Sequence, residues 1–120
     1  MVTRLEKTAR IAVDLESNGL FKYRATLCTM QLAEASSDAQ SGPEGFVVDT
    51  IAASAAITKM GELLGDEGPR KIVHDVAFDA RILAESGIRL GHVHDTSIAA
   101  RMLGRYADGL WQVPAAGGIA

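Results

Sequence analysis

The sequence predicts an α/β domain built on a mixed sheet, and two observations favour this class. Residues 10–49 contain three short apolar stretches separated by turn and loop signals, as in hairpin-linked antiparallel strands. After residue 53 the apolar residues adopt a helical period, and short apolar runs alternate with these helical stretches. Strands followed by alternating helices and strands predict a sheet with mixed pairing whose faces the helices cover.

The first three elements are predicted as strands of an antiparallel meander. Residues 10–16 form an apolar run that ends in two carboxylates, and Asn18-Gly19 follows as a turn signal. Residues 25–32 alternate apolar and polar side chains at period two. Residues 34–45, which include Ser, Asp, Gly and Pro, are predicted as a loop, and residues 46–49 as the third strand.

Helices and short strands are predicted to alternate after the meander. Residues 53–64 have a helical apolar period, and residues 65–69 end that helix. Residues 71–74 read as a short buried strand, after which Asp75 is predicted to cap a helix that ends at Gly87. After residues 93–94, Asp95 or Thr96 can cap a final helix that ends at Gly104. Its apolar face is predicted to contain Ile98, Met102 and Leu103.

Length and composition are those of one globular domain. The chain has 120 residues, of which 48% are hydrophobic and 22% charged, and no apolar run approaches the ~20 residues of a membrane span. The single cysteine, Cys28, cannot form an internal disulfide, so a cytoplasmic location is the default expectation. A net charge of −3 provides no general electrostatic footprint for nucleic acid, although a bound cation can recruit phosphates to an acidic site.

Asp14 and Glu16 are the first candidates for chemistry. Alternate side chains of a strand point to the same side, with backbone positions roughly 7 Å apart, so a hard divalent cation can take oxygens from both. Asp79 provides a further carboxylate in the first turn of the predicted helix, where Phe78 and Ile82 are expected to pack inward. Considered alone, an acid at that position is commonly explained by the helix dipole.

Four segments carry a resemblance to a known family. Residues 11–20 and 27–33 resemble the opening of ribonuclease D-like 3′-5′ exonucleases of the DEDD superfamily. Residues 71–79 are similar to their second motif, and residues 94–104 to the segment that follows it. The resemblance covers nearly the whole chain and preserves order and spacing.

The resemblance implies a ribonuclease H-like fold and an enzyme that hydrolyses phosphodiester bonds at single-stranded RNA or DNA 3′ ends. Asp14, Glu16 and Asp79 match three of the four carboxylates that hold two Mg²⁺ or Mn²⁺ ions in the family. His74 and Phe78 are expected to contact substrate and Asp95 to support the site; the alternatives are a packed histidine at position 74 and a simple helix cap at position 95. No membrane partner is expected.

The family's third motif, a Tyr or His followed four residues later by Asp, does not occur in these 120 residues. Tyr106 and Asp108 have the wrong spacing. We therefore expect residues 1–120 to be one C-terminally incomplete exonuclease domain, with one weak ion site and weak or no activity alone. The uncovered sheet is expected to drive homo-oligomerisation. The alternative is a non-catalytic remnant of the same fold that serves as a nucleic-acid-binding or assembly module.

Overall fold

The computed structural model describes residues 1–19, 23–35 and 44–105. It contains a five-stranded sheet in the order β3-β2-β1-β4-β5. The strands are β1 (Arg10–Ser17), β2 (Leu27–Glu34), β3 (Gly45–Asp49), β4 (Arg70–Val73) and β5 (Val93–Asp95). Four α-helices accompany them: α1 (Val2–Leu5), α2 (Ile57–Leu64), α3 (Val76–Glu85) and α4 (Thr96–Met102), with a 3₁₀ turn at Ser54–Ala56 before α2.

The strand pairing confirms the predicted mixed sheet. β1 pairs antiparallel with β2, and β2 with β3, so the first three strands form a meander. β4 lies parallel to β1, and β5 parallel to β4. The carboxyl ends of β1, β4 and β5 therefore meet at one edge of the sheet, where open α/β sheets commonly bind their ligands.

One face of the sheet is packed against helices, and the other is largely exposed. Ile11, Val13 and Leu15 alternate on β1 and are buried with apolar residues of α2 and α3 in a single core. Residues on the opposite face, among them Ala12, Asp14 and Val47, line an open groove of about 570 Å³. Val47 remains 72% exposed, so this face has little cover from the residues that the structure describes.

Several predicted boundaries shift. β2 begins and ends two residues later than predicted, because its register with β1 pairs Asp14 with Gln31 and closes the connection through Asn18. The Thr26 N–H donates to Asn18 Oδ1 at 2.7 Å, so the predicted turn signal closes this connection. The short helix α1 has no counterpart among the sequence predictions.

The helices bring two corrections. Asp75 stands at the N-cap position of α3, but its side chain makes no capping hydrogen bond. Its backbone is left-handed, with φ 61°. On α4, the predicted apolar face lies in solvent, with Ile98 51%, Met102 82% and Leu103 66% exposed.

Candidate active site

Asp14 and Glu16 lie on the open face of β1, near its carboxyl end. Both side chains are exposed, whereas Leu15 between them is buried in the core, so the predicted sharing of one side is confirmed. The ladder shifts register between Glu16 and Ser17. Irregularities of this kind bend a strand and are frequent next to active sites.

Asp79 occupies the first turn of α3 and is only 4% exposed. Phe78, which was expected to pack inward, is instead 43% exposed, while Ile82 at 2% faces the core as predicted. The helix is thus rotated relative to the prediction, and the carboxylate takes the inward position. Burying an acid in place of an aromatic ring costs stability unless a partner compensates the charge.

The electrostatics of Asp79 are those of a carboxylate without a counter-charge. Burial raises its pKa to about 7, and the negative charges of Asp14, Asp75, Asp95 and Glu16, in that order, add to the shift. Its buried Oδ2 has no hydrogen-bond partner among the residues that the structure describes. A divalent cation would satisfy that oxygen and reverse the sign of the local interactions.

The three carboxylates are not yet arranged as a metal cage. Within residues 1–19, 23–35 and 44–105, no three His, Cys, Asp or Glu side chains are positioned to hold an ion together. Asp14 and Glu16 are exposed and repel Asp79, so a cation would have to draw them inward. The three carboxylates offer hard oxygen donors, one of them the buried Oδ2 of Asp79, which has no partner in the described part of the chain, and they repel one another. These properties suit the binding of Mg²⁺ or Mn²⁺.

His74 and Phe78 flank the carboxylates in two different hollows. His74 follows β4 and lines the open groove with Asp14, and its Nδ1 lies 2.9 Å from Thr96 Oγ1. Phe78 lines a separate cavity of about 720 Å³ beside Glu16. The Arg81 guanidinium lies 5.6 Å from the centroid of the Phe78 ring.

Asp95 ends β5 and is the most heavily hydrogen-bonded carboxylate near this edge. It caps its own helix by accepting from the Ser97 and Ile98 N–H groups, which confirms the predicted cap. It also accepts from the N–H groups of Asp75 and Val76 at the start of α3. Burial alone would raise the pKa of Asp95, but these hydrogen bonds outweigh it and hold the pKa below its usual value.

A family comparison agrees with this arrangement. The sequence profile of the 3′-5′ exonuclease family matches residues 1–111, nearly the whole chain. The chain belongs to the 3′-5′ exonuclease family. DNA polymerase I of Chloroflexus aurantiacus is 29% identical over 107 residues, which are 88% of this chain and 11% of that protein.

Solved structures confirm the ribonuclease H-like exonuclease fold. The catalytic core of RRP6 from Trypanosoma brucei superposes with a TM-score of 0.80 at 26% identity, covering 95% of this chain and 30% of that one. NrnC of Brucella melitensis with bound Mg²⁺ gives a TM-score of 0.73 at 26% identity, covering 97% and 58%. NrnC has also been solved bound to pGG. This exonuclease-family chain therefore spans less than two thirds of the length of these relatives.

Gln31 is a residue of this exonuclease domain that the sequence reasoning missed. It pairs in register with Asp14 on the open face, and its Nε2 donates to Thr29 Oγ1 at 3.1 Å. Its Oε1 is buried without a partner among the described residues. Counting the hairpin register from Asn18 would have placed Met30 opposite Asp14, because the register shifts by one residue between Glu16 and Ser17. The shifted pairing places Gln31 on the same face as the carboxylates, and the sequence carried no signal for that shift.

Some predictions fall outside the described residues. These are residues 36–43 of the loop predicted at 34–45, and the near-miss pair Tyr106 and Asp108. The longest helix of the described ranges, α3, has 10 residues, and none there is long and apolar enough to span a bilayer.

Proposed function

We propose that this chain is a metal-dependent 3′-5′ exonuclease domain that hydrolyses phosphodiester bonds at single-stranded RNA or DNA ends. Asp14, Glu16 and Asp79 hold the Mg²⁺ or Mn²⁺ ion. The observation that carries the proposal is Asp79, a carboxylate 4% exposed whose Oδ2 lacks a partner among the described residues and which is repelled by Asp14. A cation removes both defects at once. The Mg²⁺ and the pGG bound to Brucella melitensis NrnC support the same ligand classes here.

The protein groups around the ion have separable roles. When bound, the metal polarises the scissile phosphate and lowers the pKa of a water. Asp79, buried on a helix, would be the inner ligand, and Asp14 and Glu16 would be ligands from the exposed face of β1. Phe78 offers a ring that is 43% exposed, on which a base can stack, an interaction worth roughly 1–3 kcal/mol per base. His74 lines the groove beside Asp14, and we propose that it contacts a phosphate.

The rate of this chain alone is expected to be low. The sequence of 120 residues contains no Tyr or His followed four residues later by Asp, the pattern that provides the fourth carboxylate and the general base in the resembling family. Loss of a general base typically costs ~10²–10⁴ in rate. We therefore propose one weak ion site rather than a tight pair.

A second candidate is a nucleic-acid-binding or assembly module without catalysis. The observation that favours it is exposed apolar surface: Val47 on the open face, and Ile98, Met102 and Leu103 on α4. Surfaces of this kind commonly mark interaction sites. We propose that a second copy of the chain covers them, and light scattering that gives a stable monomer at high concentration would contradict this. The cytoplasmic location inferred from the single cysteine stays a prediction.

A labelled-substrate assay separates the two candidates. A 3′-labelled oligonucleotide is incubated with Mn²⁺ and the wild-type chain, Asp14→Asn, Asp79→Asn or the control Glu62→Gln, which changes an exposed acid on α2. The exonuclease proposal expects slow release of the label that both aspartate variants abolish and the control retains. Activity that persists in both aspartate variants would identify a contaminant. No activity in the wild type, together with binding of the oligonucleotide, would favour the non-catalytic module.

A further inference from the structure

The carboxylate of Asp95 serves two helices at once. On its own helix, Oδ1 accepts from Ser97 N at 2.8 Å, Ser97 Oγ at 2.7 Å and Ile98 N at 3.4 Å. At the start of α3, Val76 N donates to Oδ2 at 2.9 Å and Asp75 N donates to Oδ1 at 3.2 Å. The first two N–H groups at the start of α3 are thus bound by Asp95, which lies on the neighbouring strand, 20 positions from Asp75 in the sequence.

The start of α3 needs such an external partner. The first N–H groups of a helix have no partner within it. Asp75, which occupies the N-cap position, makes no side-chain capping bond, and its φ of 61° lies in the left-handed region. That conformation costs an ordinary L-residue about 1–2 kcal/mol. The hydrogen bonds that the Asp75 and Val76 N–H groups donate to Asp95 therefore hold this backbone and the first turn of α3 in place.

The first turn is also the part of α3 that carries Asp79. Only three positions separate Val76 from Asp79, so a shift of the Val76 amide moves the Asp79 carboxylate with it. We propose that Asp95 is a positioning residue that fixes Asp79, through the N-terminus of α3, where it can share a cation with Asp14 and Glu16. This inference rests on the proposed metal-dependent function and assigns Asp95 a role beyond that of a cap for α4.

The division of contacts between the two oxygens allows a selective variant. Asparagine at position 95 keeps one oxygen, which is best placed at Oδ1, where donors from Asp75, Ser97 and Ile98 converge. Its NH₂ group then meets the Val76 N–H, so the Val76 contact is lost while the Asp75 contact and the α4 cap remain. Ser97→Ala is the matched control, because it removes only the hydroxyl contact on the α4 side.

The test is Mn²⁺ titration by calorimetry, with the free energy of unfolding measured on the same samples. The wild-type chain is compared with Asp95→Asn, Ser97→Ala, Asp79→Asn and the double variant Asp79→Asn/Asp95→Asn. Groups that orient metal ligands typically change affinity ~10–100-fold. We expect Asp95→Asn to weaken Mn²⁺ binding by about 10-fold or more and Ser97→Ala by less than about 3-fold. Adding Asp95→Asn to Asp79→Asn should change nothing further, because the effect passes through Asp79.

The outcomes separate this proposal from the proposed function. Mn²⁺ binding that is lost in Asp79→Asn but unchanged in Asp95→Asn would overturn the positioning role and leave the metal site intact. Equal weakening by Asp95→Asn and Ser97→Ala, in proportion to lost stability, would also overturn it. Absence of Mn²⁺ binding to the wild-type chain would overturn the metal site, and the positioning role with it.

If Asp95→Asn does not fold, Asp75→Gly provides a second background. Glycine removes the penalty of the left-handed conformation at position 75 and so offsets part of the stability lost at position 95. The proposal expects Asp75→Gly/Asp95→Asn to fold and still to bind Mn²⁺ about 10-fold more weakly than Asp75→Gly. Equal affinities in this pair would overturn it.

Discussion

Replacing Asp79 with asparagine should stabilise the metal-free protein at neutral and alkaline pH. The buried carboxylate has its pKa raised from 3.8 to about 7 by burial and by the charge of Asp14. A shift of about three units at ~1.36 kcal/mol each makes ionised Asp79 cost about 4 kcal/mol of folding free energy. Asparagine has nearly the shape of the protonated acid and carries no charge, so it should recover that amount.

The sign of the pH dependence follows from linkage. Since the pKa is raised in the folded state, the folded protein binds a proton between about pH 4 and pH 7 that the unfolded chain has released. Wild-type stability from this group therefore falls as pH rises through that window. The advantage of Asp79→Asn should be about 4 kcal/mol at about pH 8, about 3 at pH 6 and below about 1 at pH 4.

Urea denaturation followed by far-UV circular dichroism, in EDTA and at these three pH values, measures this difference. Glu62→Gln, which removes an exposed acid on α2, should change stability by less than about 0.5 kcal/mol at each pH. An Asp79→Asn variant that is no more stable than the wild type at pH 8 would contradict this prediction. A stability difference between the two proteins that does not narrow on acidification would contradict it as well.

Two further predictions concern the scaffold. Gly61 lies inside α2 with open space around an added Cβ, so Gly61→Ala should stabilise the fold by about 0.5–1 kcal/mol. A Cβ at Gly68 would overlap the Leu63 carbonyl oxygen, so Gly68→Ala should destabilise the fold by about 1–3 kcal/mol. Urea denaturation measures both changes. Lys71 is fully buried with Nζ 2.5 Å from Gly65 O, and burial lowers its pKa. Wild-type stability should therefore rise with pH between that lowered pKa and the ordinary ~10.4, and Lys71→Met should abolish the rise. A parallel pH profile for the two proteins would contradict this.

The strand pattern could be predicted because alternation of side chains fixes a sheet face locally. Asp14 and Glu16 flank Leu15, and a buried leucine dictates that its neighbours face the other way. The antiparallel meander could be predicted in the same way, from short apolar runs separated by turn residues. The shift of β2 by two residues was not predictable from its own pattern, since register is decided by the partner strand.

The helix α3 shows what local patterns could not provide. Phe78 and Ile82 lie four positions apart and therefore share one side of the helix. The same is true of Asp79 and Leu83. A prediction based on apolarity alone places the Phe78 ring in the interior. The fold instead buries Asp79, a choice that costs stability. The cap of α3 was misassigned for a related reason. Its true partner, Asp95, is 20 residues from Asp75 and becomes its neighbour only through the parallel pairing of β4 with β5.

The features that cost the fold stability are concentrated at one edge of the sheet. Asp79 is buried without a counter-charge, Gln31 Oε1 is buried without a partner among the described residues, and Asp75 holds a left-handed backbone. Natural sequences break the rules of local consistency mainly where function requires it. A single divalent cation would relieve the repulsion between Asp79 and Asp14, whereas any substitution that relieves it also removes a candidate ligand. The carboxylates near the end of β1 and at the start of α3 therefore support the proposed ion site, whereas Asp95 at the end of β5 is explained by the hydrogen bonds it accepts from two helices.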